Sequence, residues 1–236
     1  MEKLTAEQEA RKSILNIMNI EGIEEILDSP MLHISRQTIT NILTRIELFK
    51  MIQEVQGSII ECGVYKANNL MTFFHLSNIM EPFAFTRKII GFDTFEGFPS
   101  ISDKDPTGVI GYLADTNFSQ INKLIEAQEK NKALPNIPKI ELVKGDVSKT
   151  ISEYKKNNPQ LIISLLYLDF DLYEPTRIAL EEFLPLVPVG GIVAFDELNQ
   201  FKWAGETKAF NEIIGIKNVE LKKFNFDTHV SYFRRS

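Results

Sequence analysis

Apolar residues return at helical spacing through Ile39, Ile42, Leu43, Ile46, Phe49 and Met51-Ile52, the period of an amphipathic helix. Residues 5–56 carry no strand-like alternation and read as helical throughout. Ser29-Pro30 interrupts the pattern, which predicts short helices before Pro30 and a longer one over about residues 35–55. At Ser58 the texture changes. Ser58-Ile59-Ile60-Glu61-Cys62-Gly63-Val64 is a short apolar run of the kind buried in a sheet, and a helical pattern follows over residues 68–80. Four more such runs cover residues 88–93, 140–146, 161–168 and 191–197, with a helix over about 175–183 after the fourth.

Strands alternating with helices predict an α/β fold, a mostly parallel sheet with helices on both faces. The end of the chain differs. Residues 219–224 and 229–234 alternate as strands around Asn225-Phe226-Asp227-Thr228, the spacing of a hairpin that closes a sheet edge. Residues 100–138 are too long for an ordinary connection and hold a helical piece near 118–130, as expected of a lid or binding element. The organisation expected is an N-terminal helical extension over 1–57, acting as a lid or subunit contact, and a catalytic domain over 58–236.

Charge and composition narrow the function classes. Lys and Arg number 26 against 32 Asp and Glu, a net charge of −6, and no long basic cluster exists to track a phosphate backbone. Nucleic acid is therefore not an expected partner. No apolar run reaches the roughly 18–20 residues of a membrane helix, and the first residues lack the apolar core of a signal peptide. A single cysteine, Cys62, fits a reducing compartment. These readings point to a cytoplasmic protein, and the apolar N-terminal helices are compatible with a homodimer.

The chemistry lies at the strand ends, where parallel sheets bind ligands. These ends carry Glu61 with Gly63, Asp93, Asp146, Asp169 with Asp171, and Asp196 with Glu197. So many carboxylates in one crevice require a compensating positive partner, a metal ion or a cationic cofactor. After the first strand a dinucleotide fingerprint would need glycines where Tyr65 and Asn68 stand, which argues against a pyrophosphate ligand such as NAD. Asp93 occupies the place of an acid that accepts ribose hydroxyls. Asp169, Asp171, Asp196 and Glu197 form a set suited to a hard, oxygen-seeking cation, with Asp169 and Asp171 on one side of an extended segment. Zinc is not expected, because His33, His75 and His229 are scattered. No serine nucleophile elbow or Walker loop is present.

Four stretches together resemble the macrocin O-methyltransferase (TylF-like) family: Glu61-Cys62-Gly63-Val64-Tyr65, Phe92-Asp93-Thr94-Phe95-Glu96-Gly97-Phe98-Pro99, residues 168–176 around Asp169-Phe170-Asp171, and residues 190–197 ending in Asp196-Glu197. The resemblance implies a class I S-adenosylmethionine-dependent methyltransferase fold. Its Rossmann-like sheet is seven-stranded and mainly parallel, in the order 3-2-1-4-5-7-6, with a C-terminal antiparallel hairpin and N-terminal helices. It implies that Glu61, Gly63 and Tyr65 border the methionine part of the cofactor and that Asp93, with Thr94 and Phe95 beside it, holds the ribose. Asp146 and Val147 would flank the adenine, and Asp169 would lie against the cofactor as well. Asp169, Asp196 and Glu197 would bind Mg²⁺, with Asp171 as general base and a sugar hydroxyl as acceptor. Two positions depart from the family pattern: Glu197 stands where a second Asp is usual, and Ala67 where Gly is common. The insert and Asn199-Gln200-Phe201-Lys202-Trp203-Ala204-Gly205-Glu206-Thr207 would shape the acceptor pocket, with Trp203 placed to stack on a sugar ring. A metal-dependent methyltransferase of an aromatic diol and a non-methyltransferase binding protein on the same scaffold stand as alternatives.

Overall fold

The computed structural model describes residues 23–236; the helical reading of residues 5–22 lies outside them. The chain divides into two units, Met1–Leu43 and Thr44–Ser236. In the first, helix α1 (Ile23–Asp28) is followed by a 3-10 turn (Pro30–Leu32). Ser35 then opens α2 (Arg36–Ile52), its hydroxyl accepting from the Thr38 amide at 3.1 Å, the bond of an N-cap. No described helix is long and apolar enough to cross a membrane.

The second unit is built on a seven-stranded sheet among the described residues. Its strands are β1 (Ser58–Cys62), β2 (Ile89–Asp93), β3 (Ile140–Lys144), β4 (Ile163–Leu168), β5 (Ile192–Phe195), β6 (Lys222–Lys223) and β7 (Ser231–Arg234). They lie in the order β3-β2-β1-β4-β5-β7-β6. All pairings from β3 to β5 are parallel, while β7 runs antiparallel to β5 and β6. The helices are α3 (Asn68–Met80), α4 (Phe118–Glu129), α5 (Val147–Asn157), α6 (Tyr173–Phe183) and α7 (Ala204–Ile213). This is the α/β order that the family resemblance implies.

Several boundaries differ from the pattern reading for local reasons. Helix α6 begins before Pro175, which sits in the first turn, where its missing N–H would have no helical partner anyway. The C-terminal hairpin is much shorter than its alternation predicts. The buried carboxylate of Asp227 takes the His229 and Val230 amides, so these donors are unavailable to a strand ladder. Helices α5 and α7 follow β3 and β5 and were not read from the sequence.

Pleating decides which side chains meet. Ile59, Leu165, Tyr167, Ile192 and Ala194 point to the face covered by Leu48, Phe49 and Ile52 of α2 and Leu70, Phe73 and Phe74 of α3. Ile60, Cys62, Leu166, Leu168, Val193 and Phe195 point to the other face, against Ile151, Leu180, Phe183 and Phe210. Because side chains alternate along a strand, Glu61 follows Ile59 onto the α2 face, and by the same parity Asp169 and Asp196 follow Tyr167 and Ala194.

The hydrogen-bond ladder runs one step past the strands. The Gly63 amide donates to Phe92, the Asp169 amide to Cys62 and the Asp196 amide to Leu168, at 2.9, 2.7 and 3.0 Å, so adjacent strand ends finish side by side. Gly63 is needed there. Its φ is +94°, and a Cβ would come within 1.9 Å of the Asp169 carbonyl oxygen. Gly63→Ala is expected to destabilise the protein by about 3 kcal/mol or more. Urea unfolding at wild-type stability would show that the β1–β4 junction is not this tight.

Candidate active site

Beyond Gly63 the backbone keeps a glycine-like course at residues that are not glycine. Tyr65 and Ala67 have φ of +47° and +64°, in the left-handed region. Asp93, at the end of β2, holds this turn. Its Oδ2 accepts from the Val64 and Tyr65 amides at 2.7 and 2.8 Å, and its Oδ1 from the Phe95 amide at 2.6 Å. Phe95, also left-handed, is buried and packs on Phe118 with ring centroids 4.7 Å apart. Thr94 closes the same turn by donating its hydroxyl to the Gly97 carbonyl at 2.7 Å. Asp146 lies one strand further out, where Gly145 donates to the Asp93 carbonyl. The Asp146 carboxylate caps α5 through the Ser148 amide, and Val147 is buried.

The α2 face holds the largest electrostatic feature. Glu61 is fully buried, and among the described residues neither of its carboxylate oxygens has a partner at good hydrogen-bond geometry; the Asn69 amide lies close enough to pull its pKa down and reaches Asp169 Oδ2 at 3.4 Å. Burial first, then the charges of Asp93 and Asp196, push the Glu61 pKa up to about 8 against the pull of Arg45. Burial and its acidic neighbours Asp196, Asp171 and Glu206 also hold Asp169 well above the usual carboxylate range. The compensating charge is Arg45 of α2, 2% exposed. Its guanidinium donates to the Tyr167 hydroxyl and to Asp196 Oδ1, the latter at 3.3 Å. Tyr167 donates to the same Oδ1, and Arg45 lies over its ring, 4.7 Å from the centroid. Burial opposes the charge on Arg45, but Tyr167, Asp196, Asp169 and Glu61 more than offset it.

The segment carrying Asp169 is extended only to that residue. Asp171 has φ +61°, and the Leu172 amide bonds back to the Phe170 carbonyl at 2.7 Å. Asp171 therefore sits at the tip of a strained three-residue turn, and the extended geometry expected for the Asp169/Asp171 pair does not hold. Glu206 of α7, fully buried, supports this turn. Its two oxygens accept the Asp171 amide at 3.4 Å and the Glu197 amide at 3.0 Å, so one carboxyl ties the β4 and β5 ends together. Asp171 and Glu197 are each pushed up to about 7. Burial is the main cause in both; Glu197 and Asp196 add to it at Asp171, Asp196 adds to it at Glu197, and Lys202 pulls both down. Asp196, Glu197 and His229 bring one ligand atom each within 4.8 Å of one another.

The insert is fastened beside these groups. Asp105 accepts the Tyr173 amide at the start of α6 at 2.7 Å and the Ser102 amide and hydroxyl at 2.9 and 2.6 Å. Gly205 leaves room for this contact, since a Cβ there would lie 2.5 Å from Asp105 Oδ1. Phe98, Tyr112 and Trp203 form an aromatic cluster with centroids 6.0–6.2 Å apart, and the Lys202 ammonium lies 4.9 Å from the Trp203 ring.

The structure thus brings Glu61, Gly63, Tyr65, Asp93, Asp169, Asp171, Asp196 and Glu197 to one end of the sheet, with Thr94 and Phe95 in the adjoining turn. Asp146 and Val147 stand beyond β2, apart from the acid cluster. Arg45, Tyr167, Glu206 and His229 were not singled out from the sequence. Arg45 and Glu206 did carry a signal, because each occupies an apolar stripe: Arg45 with Leu48, Phe49 and Ile52, Glu206 with Ala209 and Phe210. His229, on an exposed loop, carried none.

Sheet order, the antiparallel last strands and the acid-lined carboxyl ends define the class I methyltransferase fold. A family model described as Macrocin-O-methyltransferase (TylF) matches residues 24–235; the chain belongs to this family of O-methyltransferases. It is 33% identical to CalS11, a calicheamicin methyltransferase, over 99% of this chain and 94% of that one, with a TM-score of 0.94. An apo structure titled as CalS11, TDP-rhamnose 3'-O-methyltransferase, is 30% identical over 99% and 96%, with a TM-score of 0.85. The O-methyltransferase NovP shares the fold at 16% identity over 84% and 80%, with a TM-score of 0.66. Comparison with the curated proteins gave no match.

Two outcomes are expected from the buried charges. Arg45→Met should cost about 3–5 kcal/mol at pH 8 and less at pH 6, where protonation of the acids relieves the uncompensated charge. Equal losses at both pH values in denaturant titrations would remove Arg45 from this role. Glu61 titrates near 4.5 when unfolded and near 8 when folded, so the native state holds its proton more tightly and stability falls as pH rises through that window. Glu61→Gln should therefore melt above wild type by a margin that widens from pH 5 to 8 and then levels. A constant margin across the series would contradict the raised pKa.

Proposed function

We propose that the protein is an S-adenosylmethionine- and Mg²⁺-dependent O-methyltransferase acting on a sugar hydroxyl, with a nucleotide-linked deoxyhexose as the acceptor class. The observation that carries this reading is the pairing of two sites at adjacent strand ends. One is the buried Glu61 carboxyl, whose two oxygens have no well-formed hydrogen bond among the described residues; the other is the Asp169–Asp171–Asp196–Glu197 group. The TDP-rhamnose named for CalS11 supports the acceptor class.

The residues present fit both groups. A ligand ammonium at Glu61 satisfies oxygens that are otherwise costly to bury. Gly63 and Tyr65 line the turn beside it, and Thr94 and Phe95 shape the next one. Asp93 can take a ribose hydroxyl on Oδ1 only, because Oδ2 already accepts two amides. Asp146 and Val147 are assigned to the adenine end. Asp169 faces the cofactor and, with Asp196 and Glu197, holds the cation through oxygen donors. When bound, S-adenosylmethionine supplies the methyl on a sulfonium and Mg²⁺ supplies charge that lowers the pKa of an acceptor hydroxyl.

Asp171 is the general base. The tight turn sets its carboxylate beside Asp196 and Glu197, within reach of an acceptor hydroxyl held there, where it takes the proton. Glu206 keeps that turn in place. Lys202 moderates the negative charge, and the Phe98–Tyr112–Trp203 cluster with the latched insert walls the acceptor side and limits water. Holding the acceptor oxygen in line with the methyl is worth up to roughly 7–11 kcal/mol of the barrier.

Asp171→Asn is expected to lower turnover by about 10²–10⁴-fold while S-adenosylhomocysteine binds as in wild type. Calorimetry with and without Mg²⁺, followed by a methyl-transfer assay on TDP-deoxyhexoses and on catechol, is the test. Failure of S-adenosylhomocysteine to bind would overturn the cofactor assignment, and methylation confined to catechol would overturn the sugar.

A further inference from the structure

We infer that His229 is a nitrogen ligand of the divalent cation, joining Asp196 and Glu197 beside Asp169 in a mixed nitrogen–oxygen site. The inference rests on the metal reading above and changes what the metal site is. His229 follows the short hairpin turn and arrives over the β5 end because Asp227 pins its loop. Asp227 is 3% exposed; its Oδ1 accepts the His229 amide at 2.9 Å and the Val230 amide at 3.4 Å, and its Oδ2 accepts the Thr44 hydroxyl. The imidazole Nδ1 then stands 3.9 Å from Glu197 Oε1. Ligands on one ion at about 2.0–2.2 Å lie up to about 4.4 Å apart, and these three ligand atoms fall within 4.8 Å of one another, so small side-chain rotations complete the set.

Each donor is presented suitably. Tyr167 and Arg45 occupy Asp196 Oδ1 and so leave Oδ2 for an ion. Gln200 Nε2 lies 3.5 Å from the same His229 Nδ1, a contact that an ion at Nδ1 would replace. The longer arm of Glu197, in a position where the family resemblance has Asp, reaches the His229 side of the site. An imidazole beside carboxylates favours first-row transition ions over Mg²⁺, which prefers oxygen donors and keeps its waters; Mn²⁺ is the paramagnetic probe for this site. The cation held here should therefore discriminate by metal type through His229.

The test is Mn²⁺ titration of the full-length protein, followed by pulsed electron paramagnetic resonance for nitrogen coupling. Wild type should show imidazole nitrogen coupling to bound Mn²⁺. His229→Asn, which keeps the backbone bond to Asp227, should lose the coupling and about tenfold or more in Mn²⁺ affinity, with a much smaller change for Mg²⁺. Bound Mn²⁺ without nitrogen coupling, coupling that survives in His229→Asn, or no Mn²⁺ bound at all would each overturn the assignment. S-adenosylhomocysteine titrated into the same samples separates the two readings. Its binding without nitrogen coupling rejects the His229 ligand alone, and its failure to bind rejects the methyltransferase site itself.

Discussion

The buried Arg45 guanidinium is the constraint around which the site is assembled. Glu61, Asp169 and Asp196 project from three adjacent strands onto the face that α2 covers, and their mutual repulsion would force protons onto them or open the sheet end. One guanidinium, bonded to Asp196 and to Tyr167 and lying over the tyrosine ring, offsets part of that repulsion. The balance is deliberately incomplete in physical terms. Burial, more than repulsion, keeps Glu61 titrating near 8 and Asp171 and Glu197 near 7, so at neutral pH they hold protons that cationic ligands would displace. A fully compensated site would have no electrostatic reason to bind them.

The acids are also used as braces. Asp93 accepts three backbone amides of its own turn and the β1 turn, and these hold Tyr65 and Phe95 in left-handed conformations that glycine would adopt more easily. Glu206 does the same between the β4 and β5 ends, holding Asp171 at the tip of its tight turn. Asp105 latches the insert onto α6, and Asp227 fixes the loop that carries His229. In each case a carboxylate replaces conformational freedom with directed bonds.

This division explains how one sheet end can be rigid and reactive together. Strain at Asp171 is supported by the backbone of neighbouring strands and by a buried helix carboxyl. The aromatic cluster of Phe98, Tyr112 and Trp203 joins the insert to the segment before α7, close to the elements that hold Asp171 and Glu197.

The α/β class, the parallel strands and the acids at their ends were legible in the chain, because buried strands are short apolar runs and their termini are local features. The four motifs carried the family for the same reason. What the linear pattern could not contain was the pairing of charges across elements. Arg45 and Glu206 read as single polar residues on apolar helix stripes, and only packing showed them beneath the acids they serve. The strain at Asp171 and the short hairpin arose from hydrogen bonds to Glu206 and Asp227, which outweigh local alternation. His229 lies far from Glu197 in sequence and on an exposed loop. Its place beside the strand-end acids was decided by the tertiary fold alone, since antiparallel return of β7 along β5 is what brings that loop to the carboxyl end of the sheet.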